Sequence, residues 1–195
     1  MGALPKSEPN RRFTYADYKS WELKPGERYE LIRGEAFAMA GPNRRHQAIL
    51  VEMLHQFSNY LEGKPCQVYC APCDVRLFYE EELDENDDTV VQPDILVVCD
   101  ESKLADEGIR GAPDLVIEIL SPSNTAIEME EKHDLYEDAG VREYWVVNPK
   151  NNGVTVHRLQ ADGVFDSKIY KAPDTIPVGV LLGLSIELER VFVGL

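Results

Sequence analysis

Two short segments that are apolar on both faces constrain the fold more than any other feature of this chain. They run from Ile95 to Cys99 and from Leu115 to Leu120. Strands of this kind lie in the middle of a sheet, where helices cover both faces. The two segments therefore predict an α/β protein with a buried central sheet.

Helical patterns on either side of these strands agree with that prediction. Apolar residues at three- and four-residue spacing predict a helix over 44–62, with Asn43 as its N-cap and Gly63 at its end. A second helix is predicted over 125–139, after a turn at 121–124. The order of helices and strands predicts a mixed central β-sheet flanked by helices.

The N-terminal part predicts a short helix and a β-hairpin. Thr14 and Asp17 resemble a capping box that opens a helix through about Trp21, and Arg33-Gly34 is typical of a hairpin turn. Other strands are predicted at about 66–71, 74–79, 142–148 and 154–159, near 168 and at 186–193, with a turn of helix near 180.

Length and composition bound the rest of the organisation. A chain of 195 residues favours one domain, which we place at 13–195 after a flexible tail at 1–12. No apolar run reaches the roughly 18 residues of a membrane span, and the N-terminus lacks a signal-peptide core. Four cysteines are too few and too unevenly spaced for a disulfide framework, and they lack the second close pair that a structural zinc site usually has. We therefore expect a cytoplasmic protein.

The formal net charge of −15 argues against a protein that simply coats nucleic acid. It does not exclude a nuclease, whose carboxylates hold divalent metal. Part of the excess is local, because seven acids fall within 80–88, and such a run is typical of a solvated loop.

Each of the apolar segments is associated with one acid on a core-facing side. Asp94 directly precedes the first segment and shares a face with Leu96, while Glu118 shares a face with Val116. An ionised carboxylate at such a position costs several kcal/mol unless a cation or hydrogen bonds compensate it. Mg²⁺ or Mn²⁺ would provide that compensation, since both ions prefer oxygen ligands.

Both acids also have a structural interpretation. A carboxylate at a strand end can cap a helix or pair with an arginine, and for Asp94 this alternative stays open. Glu118 lies between two isoleucines in mid-strand, which favours the metal. Asp114 lies roughly 13 Å along the same strand from Glu118, too far to share an ion easily. Asp174 lies in a weakly patterned region, so Asp94 is the better partner.

A lysine on the second predicted helix supplies a third indication. Lys132 lies on the same stripe as Met129, Leu135 and Tyr136, at three- and four-residue spacing. A lysine on the core side is unusual unless it meets an acid. The alternatives are that its amine extends to solvent or pairs with Glu128.

Together these residues resemble a family of predicted restriction endonucleases, long known as a domain of unknown function, within the PD-(D/E)XK nuclease superfamily. The similarity covers about 13–150 well. Its most specific part is Glu-x-x-Ser-Pro-Ser from Glu118, joined to Gly-Val-x-Glu-Tyr-Trp from Gly140. The stretches that carry it are Tyr29–Glu35, His46, Gln92–Val98, Asp114–Ser123, Lys132, Tyr136 and Gly140–Pro149.

The resemblance implies a restriction-endonuclease-like core and a metal-dependent DNA endonuclease that hydrolyses phosphodiester bonds. It implies that Asp94 and Glu118 bind Mg²⁺ or Mn²⁺, and that Lys132 orients or deprotonates the attacking water. Glu30 would stand near the metal, and His46 beside the site. A DNA substrate is implied, no membrane is, and a homodimer is expected by analogy.

One departure from the superfamily pattern concerns the lysine. It normally follows the second acid by two residues, where this chain has Leu120, so the resemblance implies that the lysine has moved to Lys132. Two other functions remain open. One is a catalytically inactive binding module, and the other is a metal-dependent phosphoesterase acting on RNA or another substrate.

Overall fold

A computed structural model describes residues 11–121 and 126–194, without the side chains of residues 82–84, 126 and 127. Most of the predicted turn at 121–124 and of the predicted tail at 1–12 lies outside the described residues. The boundaries of the single domain stay a prediction.

The described residues form four α-helices, and side-chain caps begin two of them. Thr14 and Asp17 form the predicted capping box, and the Asn43 side chain accepts the backbone N–H of His46. The helices are α1 (Tyr15–Lys19), α2 (Arg44–Leu61), α3 (Ala126–Asp138) and α4 (Leu188–Phe192).

The described part of the chain forms fourteen strands. Arg33 and Gly34 both have positive φ, as the tight turn of the first hairpin requires. The strands are β1 (Tyr29–Ile32), β2 (Glu35–Ala38), β3 (Gln67–Cys70), β4 (Val75–Arg76), β5 (Val90–Val91), β6 (Ile95–Val98), β7 (Leu104–Ala105), β8 (Gly108–Arg110), β9 (Leu115–Ile119), β10 (Glu143–Asn148), β11 (Gly153–Leu159), β12 (Phe165–Lys171), β13 (Thr175–Pro177) and β14 (Ser185–Glu187).

The predicted mixed central sheet is confirmed. It has six strands in the order β12-β11-β10-β9-β6-β3, and β9 runs parallel to β10 and antiparallel to β6. A second six-stranded sheet, in the order β2-β1-β5-β4-β8-β7, was not foreseen. It forms because β5 pairs the N-terminal hairpin with β4. Strands β13 and β14 pair only with each other among the described strands and form a separate two-stranded sheet.

The strands β6 and β9 are buried on both faces, as predicted. Alternate residues of these strands enter two different hydrophobic clusters. On one face, α2 contributes Ile49, Met53 and Phe57, which pack in one cluster with Ile95, Ile117 and Trp145. On the other face, α3 contributes Leu135 and Tyr136, which pack with Leu96, Val116 and Tyr144. Asp94 and Glu118 fall on the α3 face by strand alternation.

Two local predictions were wrong. The segment predicted as a strand at 186–193 is a strand only through Glu187 and then becomes α4, because Leu188, Val191 and Phe192 bury one helical face in the α2 cluster. Around residue 180 the described chain has bends and a turn, with no helix.

The acidic run is not simply a solvated loop. It contains a 3₁₀ helix at Glu81–Asn86. Asp87 is buried and lies 2.6 Å from the guanidinium of Arg76. This ion pair links the acidic run to β4 and compensates the charge of the buried Asp87 carboxylate.

Cys66 and Cys99 form a disulfide that the sequence spacing did not predict. The pairing of β3 with β6 matches Gln67 with Val98, so the next positions outward bring the two cysteines face to face. Cys70 and Cys73 are free. None of the helices within 11–121 and 126–194 is long and apolar enough to cross a membrane.

Candidate active site

The register of β6 and β9 brings Asp94 and Glu118 together. Ile95 is opposite Ile117 in this antiparallel pair, so the next step outward sets Asp94 opposite Glu118. Directly opposed residues have Cβ atoms about 5 Å apart. Both acids line one cavity of about 160 Å³.

The Asp94 carboxylate is held on one oxygen. Its Oδ2 accepts the backbone N–H of Ile119 at 2.7 Å and lies 3.1 Å from Nε2 of His46, in the first turn of α2. Its Oδ1 accepts no hydrogen bond from any residue in the described ranges. These two contacts fix the carboxylate and leave one oxygen for a ligand.

Glu118 is held in the same way. Its Oε1 accepts the ammonium of Lys132 at 2.8 Å and the hydroxyl of Tyr136 at 2.7 Å, while Oε2 has no partner among the described residues. Burial raises the pKa of Glu118 to about 7. Lys132 pulls this pKa down, and the charges of Glu30 and Asp94 push it up.

Lys132 lies between two carboxylates. Its Nζ is 2.8 Å from Glu118 Oε1 and 3.0 Å from Glu30 Oε2, and its side chain is only 6% exposed. Burial lowers the pKa of Lys132, but Glu118 and Glu30 outweigh that effect and raise the pKa above its usual value. The structure therefore brings Lys132 of α3 to Glu118. Leu120 occupies the position where the superfamily pattern has its lysine, and its backbone N–H donates to the carbonyl of Val147.

Glu30 links β1 to the end of β5 and to α3 at this site. It is buried on β1, and its Oε1 accepts the backbone N–H of Gln92 at 2.9 Å. The Gln92 side chain donates in turn to Asp74 at 2.8 Å and to the hydroxyl of Tyr18 at 3.1 Å. These bonds fix the position of Glu30 against Lys132.

All five predicted site residues line the cavity. Sequence reasoning did not name Arg28, which lines the cavity and stands just before β1, two positions from Glu30. It also assigned no role to Tyr136. The complete lining consists of Arg28, Glu30, Phe37, Ala38, Met39, Ala40, Pro42, His46, Asp94, Glu118, Ile119, Ser121, Glu128 and Lys132.

The other acids that the sequence offered serve elsewhere. Asp114 accepts the backbone N–H of Cys99 at 2.8 Å and pairs with Arg142 at 2.9 Å. Asp174 accepts the backbone N–H of Lys171. Neither residue lines the cavity.

The charge of the cavity fits a divalent cation. Four acids, one lysine and one arginine line it, so the charge is −2 when all of them are ionised and His46 is neutral. Within the described ranges, no three His, Cys, Asp or Glu side chains are grouped to hold a metal. Mg²⁺ commonly uses only one or two carboxylates, with water and substrate phosphate as its other ligands. The free oxygens of Asp94 and Glu118 match that donor set.

Comparison with known proteins agrees with this architecture. A crystal structure described as "a putative nuclease belonging to DUF820", from Anabaena variabilis ATCC 29413, has a TM-score of 0.73 at 19% identity. The match covers 92% of this chain and 97% of that chain. A protein of Synechocystis sp. described as uncharacterized is 26% identical over 196 residues, which is 100% of this chain and 99% of the relative.

The fold is therefore that of the restriction-endonuclease-like class, a mixed α/β core with sheets flanked by helices. The family described as "Putative restriction endonuclease" (Uma2) matches residues 15–189. The chain belongs to that family.

Proposed function

We propose that this protein is a metal-dependent DNA endonuclease that hydrolyses phosphodiester bonds. The observation that carries the proposal is the opposition of Asp94 and Glu118 across β6 and β9. Each carboxylate has one oxygen held by protein donors and one without a protein partner among the described residues. Membership in a restriction-endonuclease family supports a nucleic-acid substrate.

In this proposal Asp94 and Glu118 would hold Mg²⁺ or Mn²⁺ through the carboxylate oxygens that have no protein partner among the described residues. The ion supplies polarisation of a phosphoryl oxygen and a lowered pKa of bound water. Lys132 is a cation held by two carboxylates, so it orients water and stabilises charge on the phosphate and does not act as the base. His46 fixes the Asp94 carboxylate, and Glu30 keeps Lys132 against Glu118.

Metal binding and cleavage test this proposal with a matched control. Asp94→Asn and Glu118→Gln are expected to weaken Mn²⁺ binding in isothermal titration and to abolish Mg²⁺-dependent cleavage of DNA. Asp114→Asn makes the same charge change just before β9, outside the cavity, and is expected to keep both properties. Circular dichroism checks that each variant is folded. Cleavage at the parent rate by both cavity variants would refute the assignment.

A catalytically inactive binding module is the second candidate, and the net charge of −15 favours it. A parent protein that binds no Mn²⁺ in the same titration would support this module. A phosphoesterase acting on RNA is the third candidate, and a panel of DNA, RNA and small phosphodiesters separates it from the first. The homodimer and the cytoplasmic location stay part of the proposal, and sedimentation tests the former.

A further inference from the structure

Arg28 lines the acid cavity, although neither the sequence patterns nor the family resemblance singled it out. It stands just before β1, two residues from Glu30, so both side chains project from the same face of the chain. Their Cα atoms are roughly 7 Å apart at strand spacing. Glu30 is buried and Arg28 is half-buried, so Arg28 lies nearer to the solvent-facing mouth of the cavity. The backbone N–H of Met39 donates to the Arg28 carbonyl and fixes this position.

The guanidinium of Arg28 has no hydrogen-bond or ion-pair partner in the part of the chain that the structure describes. This is notable in a protein with a net charge of −15, where acids are abundant. Other arginines have found acids: Arg33 with Asp138, Arg76 with Asp87, Arg142 with Asp114 and Arg158 with Glu143. Arg28 therefore retains its donors for a ligand that enters the cavity.

The charge of the loaded site indicates which ligand that is. Four acids, Lys132 and Arg28 line the cavity and together leave a charge of −2, which a divalent cation offsets. An incoming phosphodiester adds one negative charge in a poorly solvated place, where an unpaired charge is costly. A guanidinium fits phosphate oxygens with two parallel hydrogen bonds.

We propose that Arg28 binds a phosphodiester of the substrate at the mouth of the acid cavity. This inference rests on the proposed nuclease function, and it assigns the residue just before β1 to substrate binding. Arg28 is then a substrate-binding residue, whereas Glu30 and His46 act through Lys132 and Asp94.

Binding to an intact oligonucleotide tests the inference without relying on turnover. The Asp94→Asn/Glu118→Gln protein is the background, since it is expected not to cleave. In this background, Arg28→Gln is compared with Arg33→Gln. The second substitution removes the same charge from the turn between β1 and β2, outside the cavity. Fluorescence anisotropy with a labelled DNA strand is recorded between 50 and 200 mM salt, roughly the range over which phosphate contacts weaken strongly.

We expect Arg28→Gln to weaken binding about tenfold at low salt, as the loss of a charge-assisted contact does. The slope of log affinity against log salt should fall by about 0.7, the contribution of one phosphate contact on a single strand. Arg33→Gln should change both quantities much less. Equal effects of the two variants, or no effect of Arg28→Gln, would overturn the inference.

Two further outcomes are kept distinct. If the background protein binds no oligonucleotide, the proposed nuclease function fails and the role of Arg28 fails with it. Mn²⁺ titration of Arg28→Gln in the otherwise unchanged protein is expected to match the parent within about twofold, since Arg28 touches neither carboxylate. A large loss of Mn²⁺ affinity with a lower urea midpoint would make Arg28 a structural residue and overturn the inference.

Discussion

The ion contacts of Lys132 make a sharp prediction about stability. Replacing Lys132 with Met keeps a long, unbranched side chain of similar volume but removes the cation between Glu30 and Glu118. The three side chains are 6%, 5% and 11% exposed, so water screens their charges weakly. Removing one partner of such a buried pair costs roughly 3–5 kcal/mol, and we expect a loss of that size at pH 8.

The loss should depend on pH in a defined direction. The pKa of Glu118 is raised to about 7 by burial, from about 4.5 in an exposed chain. The folded protein therefore holds this proton at pH values where the unfolded chain has lost it. The stability that results is complete below pH 4.5 and is lost as the pH rises through 7, by at most about 3 kcal/mol. Without Lys132 the pKa rises further, so the loss in Lys132→Met extends above pH 7.

Urea unfolding at pH 5 and pH 8, in the presence of a chelator, measures both effects. Lys132→Met is expected to be far closer to the parent at pH 5, where Glu118 is protonated, than at pH 8. Lys24→Met is the control, because the Lys24 side chain is 76% exposed and its loss should cost less than about 0.5 kcal/mol. A cost for Lys132→Met below about 1 kcal/mol, equal at both pH values, would refute the buried-triad argument.

Two further predictions concern buried rings near the site. Tyr136→Phe removes the hydroxyl that donates to Glu118 and should weaken Mn²⁺ binding about tenfold in titration. Tyr144→Phe is its control and should leave Mn²⁺ binding unchanged, since the buried Tyr144 hydroxyl has no partner among the described residues. Burial and, to a lesser degree, His133 lower the pKa of His157 to about 4, so stability should fall as the pH drops from 6.5 towards 4. His157→Gln should reduce that fall by about 1 kcal/mol after allowance for solvent screening, and an unchanged pH dependence of its urea midpoint would contradict the assignment.

The sequence alone determined most of the local elements and the two acids at the centre of the candidate site. The capping box at Thr14 depends on a residue only three positions away. The apolar patterns of α2, β6 and β9 likewise lie within each element and show which of its faces are buried. The same reasoning pointed to Asp94 and Glu118, because an acid in an apolar strand is conspicuous without any knowledge of its partner.

The tertiary structure decided what lies between elements. The Glu30 contact with Lys132 spans 102 positions in the sequence, and it depends on the placement of β1 and α3 against β9. The second sheet, the Cys66–Cys99 disulfide and the position of Arg28 at the cavity depend equally on strand order and register. Periodicity records which face of an element is buried, but it contains no information about which distant element covers that face. Only the assembled fold could therefore show that these charges converge on one cavity.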